Sequence, residues 1–427
     1  MKYLFLLGFS VIVLSVSGQQ SVTLDQCYEW AEKNYPKIKQ FDLIEKTMQY
    51  DLSNASKAWL PQVSLTAKAT YQSDMTQLPL DFSQLPDPMK SFSVPELSKD
   101  QYQVAAEVSQ TIWDGGITRS SQMITRAEAE VEHKKLESEL YSIKERINQL
   151  YFGCILQDDL LKQNRLLQKE LQVNLDRIKA MIANGVANDS DRELLEVEIL
   201  NVRQKEIELT ASRSSFVRML AYFTGQDITE NTIIETPVTP VAGRKQEINR
   251  PELQSFDANL SVADMRDKMI TASLMPKFGA FVQAGYGRPG LNMLDDGFDS
   301  FYIAGITMSW NLGRLYTLKN DRRKVNAIRN QVNINKETFL FNTQMQLIQQ
   351  DENIQQIKAL MQTDDEIVRL RTNVRKAAEV KLENGTISVS DLVREINAED
   401  MAKQTATLRR TQHLMAIYQL IHITNNK

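Results

Sequence analysis

The octapeptides "NGVANDSD" (Asn184–Asp191) and "NGTISVSD" (Asn384–Asp391) have nearly the same sequence, and 200 residues separate them. Gly in an Asn-Gly pair favours the left-handed conformation that ends a helix. We therefore expect one helix to end at Gly185 and another at Gly385. Two related turns so far apart also indicate that a larger unit of the chain is repeated.

Each turn is followed by residues that favour a new helix. Ser190-Asp-Arg-Glu193 has the pattern of a capping box, and Ser388-Val-Ser-Asp391 is a second, less regular example. The predicted returning helices cover about 188–223 and 388–423. Each turn is therefore expected to connect two antiparallel helices of a hairpin.

Long segments without helix breakers precede both turns. No Pro occurs between Pro95 and Pro237 or after Pro289, and Pro disrupts helix interiors more than any other residue. Apolar residues recur three and four positions apart in these segments, which is typical of coiled-coil seams. The pattern predicts helices at about 117–183 and 317–383, each roughly 100 Å long at about 1.5 Å per residue.

A second alignment extends the repeat. Residues 34–62 align without gaps on residues 249–277 at an offset of 215, and they share an Asn, two Pro and a Phe-Asp pair. Each copy predicts a helix of some 25–35 residues that ends before Pro61 or Pro276. We expect a tandem duplication with a first repeat at 19–223, a linker at 224–248, a second repeat at 249–423 and a C-terminal tail at 424–427.

The chain begins with the apolar run "MKYLFLLGFSVIVLSVSG", which carries a single Lys. This pattern is typical of a secretory signal peptide, and we expect residues 1–18 to be removed on export. No later stretch has the length and apolarity of a predicted membrane-spanning helix.

Composition argues against several functions. The formal net charge is −4 over 427 residues, which does not indicate a nucleic-acid-binding surface. Cys27 and Cys154 form no motif, and we interpret them as free thiols packed between helices. The histidines, His133, His413 and His422, each fall in a helical, charge-rich context, and we interpret them as surface residues. We expect no catalytic site, no cofactor and no metal site.

Four segments have the two-residue periodicity of strands with one apolar face. They are residues 62–71, 102–113, 277–286 and 301–310. Their length and terminal aromatic residues match transmembrane β-strands, although a half-buried soluble sheet alternates in the same way. In a membrane, the lipid-facing residues are Val104, Ala106, Val108, Val282, Ile306 and Met308, and the interfacial aromatic residues are Tyr71, Tyr102, Trp113, Tyr286, Tyr302 and Trp310.

Each pair of strands brackets a segment rich in turn-forming residues, at 78–97 and 287–299, which we expect to face the outside. Four strands are too few for a membrane barrel, which needs about eight. Open strand edges in lipid leave backbone groups unpaired, at a cost of several kcal/mol each. Several copies must therefore share one barrel, and the residues alone permit a dimer or a larger assembly.

These features together resemble the TolC family of outer-membrane efflux proteins. The resemblance covers nearly the whole mature chain and rests on "TLDQCYEWAEKNYPKIK" (23–39), "WLPQVSLTA" (59–67), Trp113-Asp-Gly-Gly116 and the two Asn-Gly turns. It implies a mainly α fold with a membrane β-barrel portion. Duplicated long helical hairpins would form a trimeric α-barrel tunnel, continuous with a shared 12-stranded β-barrel to which each protomer contributes four strands.

The resemblance also implies a function, namely an outer-membrane exit duct of a tripartite efflux or type I secretion system that extends into the periplasm. The implied partners are the other copies of a homotrimer, a periplasmic adaptor (membrane fusion) protein, an inner-membrane transporter and outer-membrane lipid, with no nucleic acid. A soluble periplasmic coiled-coil scaffold or adaptor without a membrane barrel is the alternative.

In the family, the two turns form the periplasmic tip of the tunnel, where two acidic positions line a closed aperture. Aligned on Gly385, the first acidic position falls on Asp391, whereas the second falls on Arg394. The resemblance therefore implies a weaker cation block and more apolar closure. Tip contacts between the repeats fall on Ser190, Asp191, Leu382 and Ile387. Helix capping alone would also explain Gly185, Gly385, Ser190 and Asp391.

Overall fold

A computed structural model describes residues 21–75, 97–238 and 247–426. The predicted signal peptide, almost all of the 78–97 loop, part of the 224–248 linker and the last residue of the tail lie outside the described residues. The chain divides into two compact units. In described residues, the helical unit comprises 21–40, 136–238, 247–253 and 337–426, and the sheet unit comprises 41–75, 97–135 and 254–336.

The order of helices and strands contains one succession twice. In chain order, the elements are β1 (Ser21–Val22), α1 (Leu24–Asn34), α2 (Gln40–Ser56), β2 (Gln62–Tyr71), β3 (Asp100–Trp113), α3 (Ile117–Ala183), α4 (Asp189–Thr224), β4 (Ile233–Ile234), α5 (Pro251–Ala272), β5 (Lys277–Arg288), β6 (Asp299–Ser309), α6 (Arg314–Glu383) and α7 (Val389–Thr424). The succession from α2 to α4 recurs from α5 to α7, and β4 lies between the two copies.

The predicted long and returning helices are confirmed almost residue for residue. Helices α3 and α6 contain 67 and 70 residues, and α4 and α7 contain 36 residues each. The helix that opens each repeat is shorter than the predicted 25–35 residues, since α2 has 17 residues and α5 has 22. A separate 3-10 turn at Pro36–Lys39 precedes α2, and another at Lys57–Trp59 follows it. No helix among the described residues is both long enough and apolar enough to cross a membrane.

Both helical hairpins contribute to one apolar core in the helical unit. Its buried residues are Leu167, Leu171, Leu175 and Ile178 of α3, Leu195 and Val202 of α4, Ala378 and Leu382 of α6, and Val389, Leu392, Val393 and Ile396 of α7. These side chains follow the three-and-four spacing that the sequence shows. Removal of their apolar surface from water therefore holds the two repeats together.

The Asn that aligns between the repeats contacts the end of the returning helix in both of them. Asn34 Nδ2 donates to the carbonyl oxygen of Tyr222, 3.1 Å away, near the end of α4. The backbone N–H of Asn249 donates to the carbonyl oxygen of Thr424, 2.8 Å away, at the end of α7. Both contacts satisfy carbonyl groups that a helix leaves unpaired at its C-terminus.

The amino-terminal residues pair with a segment that follows the first repeat. Strand β1 pairs in parallel with β4, with Val22 opposite Ile234. The buried Tyr151 hydroxyl lies 2.9 Å from the carbonyl oxygen of Val22, and it can donate there or to the carbonyl oxygen of Glu235. This pairing was not predicted, because two-residue strands leave no periodic pattern. Cys27 and Cys154 are buried free thiols, as predicted.

One predicted histidine environment is wrong. His422 is buried on α7 rather than exposed, and its ring stacks on Tyr141 of α3 with 4.6 Å between the ring centroids. Tyr141 Oη also donates to the carbonyl oxygen of His422 across 2.6 Å. Burial, together with the nearby Arg250 guanidinium, lowers the pKa of His422 to about 4, so this imidazole is neutral at pH 7.

The sheet unit contains one antiparallel four-stranded sheet in the order β2-β3-β5-β6. All four predicted strands are confirmed to within two residues at each end. Within the described residues, one side of β2 and one side of β6 have no strand partner. The register is regular except for a bulge between Thr111 and Trp113, which places Trp113 opposite Phe278.

Polar side chains stabilise the turn between the second strand and the long helix at the same place in each repeat. Asp114 Oδ1 accepts from the backbone N–H of Gly116 across 2.8 Å. In the second repeat, Asn311 Oδ1 accepts from the N–H of Gly313 across 3.1 Å. Ion pairs then join neighbouring helices. They link Arg266 of α5 to Glu128 of α3, and Arg329 and Lys336 of α6 to Asp264 and Asp257 of α5. These contacts position the long helices directly after the sheet.

Candidate functional site

The two turns between the long and returning helices have the same backbone geometry. Gly185 and Gly385 have φ of +74° and +66°, a region that Gly enters without the penalty a Cβ imposes. Each closes a Schellman motif: the Gly185 N–H donates to the Ile182 carbonyl and the Gly385 N–H to the Leu382 carbonyl, both across 2.9 Å. The predicted left-handed helix ends are therefore confirmed.

The returning helices begin with capping boxes, but the first is not the predicted one. Asn188 caps α4, and it exchanges hydrogen bonds with Asp191. The predicted pair of Ser190 and Glu193 is wrong, because α4 already begins at Asp189 and Ser190 instead donates to Asn188 Oδ1 across 2.6 Å. An Asn three residues before an Asp supplies the same two hydrogen bonds as the more familiar Ser and Glu.

The second capping box is the predicted one. Asp391 N donates to Ser388 Oγ across 3.1 Å, and Asp391 Oδ2 accepts from the backbone N–H of Ser388 across 3.1 Å. The other carboxylate oxygen of Asp391 lies 3.2 Å from Arg394 Nη2. Hydrogen bonds from the Ser388 side chain and backbone, and then the Arg394 charge, hold the pKa of Asp391 below its ordinary value. In a single protomer, the carboxylate is thus ionised and partly neutralised.

The other candidate tip residues have different environments. Leu382 is buried in the core shared by both hairpins, and Ile387 packs against that core from its edge. Ser190 is exposed and Asp191 is half-buried. Near these turns, Arg177 Nη1 of α3 lies 3.2 Å from Glu383 Oε1 of α6, which is a direct ion pair between the repeats. The structure brings the candidate residues to the ends of the two hairpins, and their place at an aperture stays a prediction.

A partly buried cluster of charges lies further along the hairpins, with Glu399 as its buried member. Arg375 of α6 is its centre: its guanidinium lies 2.6 Å from Glu399 Oε2, 2.8 Å from Glu379 Oε1 and 2.7 Å from Glu170 Oε1. Lys403 Nζ approaches the other oxygen of Glu399 to 2.7 Å. We call these five residues the charge cluster. It connects α3 of the first repeat to α6 and α7 of the second.

The two carboxylates at the ends of this cluster have opposite pKa shifts. Burial raises the pKa of Glu170 because the Arg375 charge compensates it only in part. The pKa of Glu399 is lowered, since hydrogen bonds from Lys403, Thr372 and Arg375 outweigh its burial. Three carboxylates therefore share two cations, and Glu170 is the least well compensated.

The charge cluster was missed in the sequence, although it left a signal. Glu399 continues the apolar series of Leu392 and Ile396 at spacings of four and three, so it occupies a core position of α7. Arg375 precedes Ala378 and Leu382 in the same way. Charged residues at two core positions of one hairpin indicate a buried pair. Their partner on α3 could not be identified without the packing.

The predicted apolar side chains of the strands share one face of the sheet. Val108 lies opposite Val63 of β2 and Val282 of β5, and Ala280, the next residue of β5 on that face, lies opposite Ile306 of β6. Ala106 lies opposite Ala284, and Phe278 lies opposite Met308. In the single chain, this face is open: Val104 is 51% exposed and Ile306 is 79% exposed. We call it the apolar sheet face.

Aromatic residues lie towards both ends of the apolar sheet face. At the helical end, the Trp113 and Phe278 rings have centroids 5.9 Å apart, and Trp310 Nε1 donates to the carbonyl oxygen of Leu274 across 2.9 Å. At the other end are Tyr71, Tyr102, Tyr286 and Tyr302. Tyr102 and Tyr286 both stack on Phe298 of the loop after β5. Two aromatic belts that flank an apolar band are typical of membrane strands.

Among the described residues, no group of three or more His, Cys, Asp or Glu side chains is arranged to hold a metal ion.

Known proteins share the sequence pattern of the first repeat and the fold of the chain. Residues 27–226 match the family model described as "Outer membrane efflux protein". No curated protein sequence matches the chain significantly.

Solved structures of outer-membrane channels resemble this chain over nearly its full length. The outer membrane protein VceC from Vibrio cholerae is 14% identical, with a TM-score of 0.65 over 94% of this chain and 96% of that one. The open state of the Neisseria gonorrhoeae MtrE outer membrane channel is 13% identical, with a TM-score of 0.62 over 93% and 88%. The Campylobacter jejuni CmeC outer membrane channel is 11% identical, with a TM-score of 0.62 over 94% and 85%. At these identities, the likeness establishes the fold.

Proposed function

Residues 27–226 match the outer membrane efflux protein family, and from this match we propose that the chain is a member of that family and that three copies form one exit duct in the outer membrane. Each copy contributes its four strands to a 12-stranded barrel, and the long helices continue as a tunnel into the periplasm. The alternative of a soluble scaffold is not supported, because the family and the fold are those of outer-membrane channels.

The observation that carries this proposal is a sheet that is incomplete in one chain. It has four strands, and β2 and β6 have free edges among the described residues. Its apolar face is exposed and flanked by aromatic residues. A sheet of this kind is stable in lipid only when its edges are paired. Pairing β6 of one copy with β2 of the next satisfies both edges and leaves the apolar sheet face towards lipid.

The function requires partners, because a duct supplies no energy of its own. We propose that a periplasmic adaptor protein joins the helical unit to an inner-membrane transporter. The match of the first repeat to the efflux family supports this assembly. The two exposed turns at Gly185 and Gly385 are the proposed periplasmic end, since they terminate the long helices that begin directly after the strands.

At that end, we propose that Asp391 and Arg394 line the aperture and that apolar packing closes it. In this role, Arg394 offsets the negative field that three copies of Asp391 create. The separation of 3.2 Å between Arg394 Nη2 and Asp391 Oδ1 supports the offset. Leu382 and Ile387 hold the second turn against the core of the hairpins. In the first turn, Ser190 and Asp191 instead hydrogen-bond to Asn188.

Extraction from isolated outer membranes and reconstitution in planar lipid bilayers test this function. We expect the protein to fractionate with the outer membrane of the cell. After purification and reconstitution, we expect it to produce discrete, stepwise ion currents. Recovery only from the soluble periplasmic fraction, or folded protein that inserts without any current, would contradict the proposed duct. A variant in which the apolar sheet face carries Ile306→Arg serves as the control for insertion, because it is expected not to assemble.

A further inference from the structure

A surface at the start of α6 combines exposed aromatic, apolar and basic side chains. Helix α6 begins at Arg314, only five residues after the last strand ends at Ser309. Leu315 and Tyr316 in its first turn are 54% and 89% exposed. Lys319 and Arg323 follow on the same side of the helix, three and seven residues after Tyr316, and both are exposed. We call these four residues the basic face.

The charges of the basic face are available for a ligand. The opposite side of α6 packs on α5, with Val325 buried and Arg329 paired to Asp264. Within the described parts of the chain, neither Lys319 nor Arg323 has an ion-pair partner, whereas Arg322 beside them lies 3.8 Å from Asp267. Lys324 is also exposed and without such a partner, but it lies roughly 100° further around the helix than Arg323. It is therefore a matched control.

The basic face begins close enough to the end of the sheet for its long side chains to reach a lipid headgroup layer there. At about 1.5 Å per residue, Lys319 lies roughly 8 Å and Arg323 roughly 14 Å along the axis from the start of α6. Side chains of a helix lean towards its N-terminus, which here is the end nearest the sheet. Their long stems can extend further in the same direction along an apolar surface. Trp310 and Trp113 mark the end of the apolar band just above.

From this arrangement we propose that the basic face binds the headgroup of an anionic phospholipid in the periplasmic leaflet of the outer membrane. Lys319 and Arg323 pair with the phosphate, and Leu315 and Tyr316 contact the glycerol and upper acyl region. The inference rests on the proposed function, since it requires that the sheet lie in the membrane. It adds a lipid class and a site to the general expectation of lipid contact.

Charge complementarity favours a lipid over another copy of the chain as the occupant. Both charged residues of the basic face are cationic, and a partner surface must therefore be anionic. Basic residues beside a membrane-spanning segment attract anionic headgroups, with a contribution from each Lys or Arg that falls off within a Debye length. The adjacent aromatic residue suits the interface between headgroups and acyl chains.

Native mass spectrometry of the intact assembly in detergent tests the site. Short-chain phosphatidylglycerol and phosphatidylcholine are added separately to the wild type, to Lys319→Gln/Arg323→Gln and to Lys324→Gln. We expect tighter binding of phosphatidylglycerol than of phosphatidylcholine by the wild type. The double variant is expected to lose on the order of 30-fold in phosphatidylglycerol affinity, and Lys324→Gln is expected to lose less than about threefold.

Several results would overturn the site. One is equal affinity of the wild type for phosphatidylglycerol and phosphatidylcholine. Another is a loss of phosphatidylglycerol affinity in Lys324→Gln as large as in the double variant. A third is displacement of the lipid by millimolar inorganic phosphate, which would indicate a site for free anions. Dissociation of the assembly by the double variant with unchanged lipid binding would assign the face to a neighbouring copy. If the double variant does not fold, the two single variants give the same comparison. Channel currents that persist when lipid preference is absent would reject this site and retain the duct.

Discussion

Arg375 Nε of α6 lies 2.6 Å from Glu399 Oε2 of α7, and the Glu399 side chain is only 3% exposed. The same guanidinium contacts Glu170 of α3. One side chain therefore connects three helices and both repeats. A charge in a core position is costly unless it is paired, so these three residues stabilise the packing of the hairpins only as a group.

Removal of the central cation should destabilise the helical unit. In Arg375→Ala, three carboxylates remain near each other and only Lys403 compensates them, which is expected to cost about 3–5 kcal/mol of unfolding free energy. Arg394→Ala, which removes an exposed arginine, should cost less than about 1 kcal/mol. Thermal unfolding followed by circular dichroism at 222 nm compares the two. Equal midpoints for both variants would show that the charge cluster contributes no stability.

Acidification should weaken the contact between α3 and α7 through His422. Its pKa in the folded protein is about 4 against an ordinary value of 6.5. Because the pKa is lower in the folded protein, the unfolded chain takes up a proton first as the pH falls. The stability that the neutral His422 imidazole contributes is therefore fully present above pH 6.5 and is lost as the pH falls towards 4. The loss reaches about 3 kcal/mol, since one pKa unit corresponds to about 1.4 kcal/mol.

The variant His422→Phe keeps an aromatic ring against Tyr141 and removes the titrating group. Its thermal midpoint should therefore fall less than that of the wild type between pH 6.5 and pH 4. The measurement is thermal unfolding at several pH values in that range. The same decrease in both proteins would assign the acid sensitivity to other groups.

The two faces of the sheet should differ in their tolerance of charge. Arginine at Val104 or Ile306, on the apolar sheet face, is expected to cost about 2–4 kcal/mol near the bilayer midplane, because the charge is transferred into lipid. Arginine at Ser109 or Thr66, on the opposite face, should assemble normally. The yield of assembled protein in the outer membrane measures the difference. Equal yields from all four variants would mean that the faces are assigned wrongly.

The tip should respond to exchange of its charges. Arg394→Asp creates a second acidic position beside Asp391, so block of the channel by divalent cations should become stronger. Asp391→Ala removes the anionic group and should weaken the block. Single-channel recordings at increasing divalent-cation concentration measure both effects. If neither variant alters the block, neither side chain lines the aperture.

Much of the fold could be predicted because long regular elements leave strong patterns. The predicted helix 117–183 coincides with Ile117–Ala183, since a segment almost free of Gly and Pro has few places to end. The strand faces were also predictable from a two-residue alternation. The apolar face of β3 is therefore the predicted one, from Val104 to Val108.

The contacts that depend on packing were not predictable in the same way. The pairing of β1 with β4 requires residues 21–22 to meet residues 233–234, which no local pattern indicates. Glu170 lies beside a core seam of α3, and only the approach of α6 shows that it is a partner of Arg375. Asn188 was missed because Ser190 offers a more familiar capping sequence two residues later.

The number of copies in the purified complex tests the central claim most directly. Among the described residues, four strands leave two sheet edges without a partner, and the proposed duct closes these edges with strands from two further copies. We predict that native mass spectrometry of the complex extracted from outer membranes gives a mass of three mature chains. A folded monomer, or a dimer as the largest species under gentle extraction, would contradict a shared 12-stranded barrel.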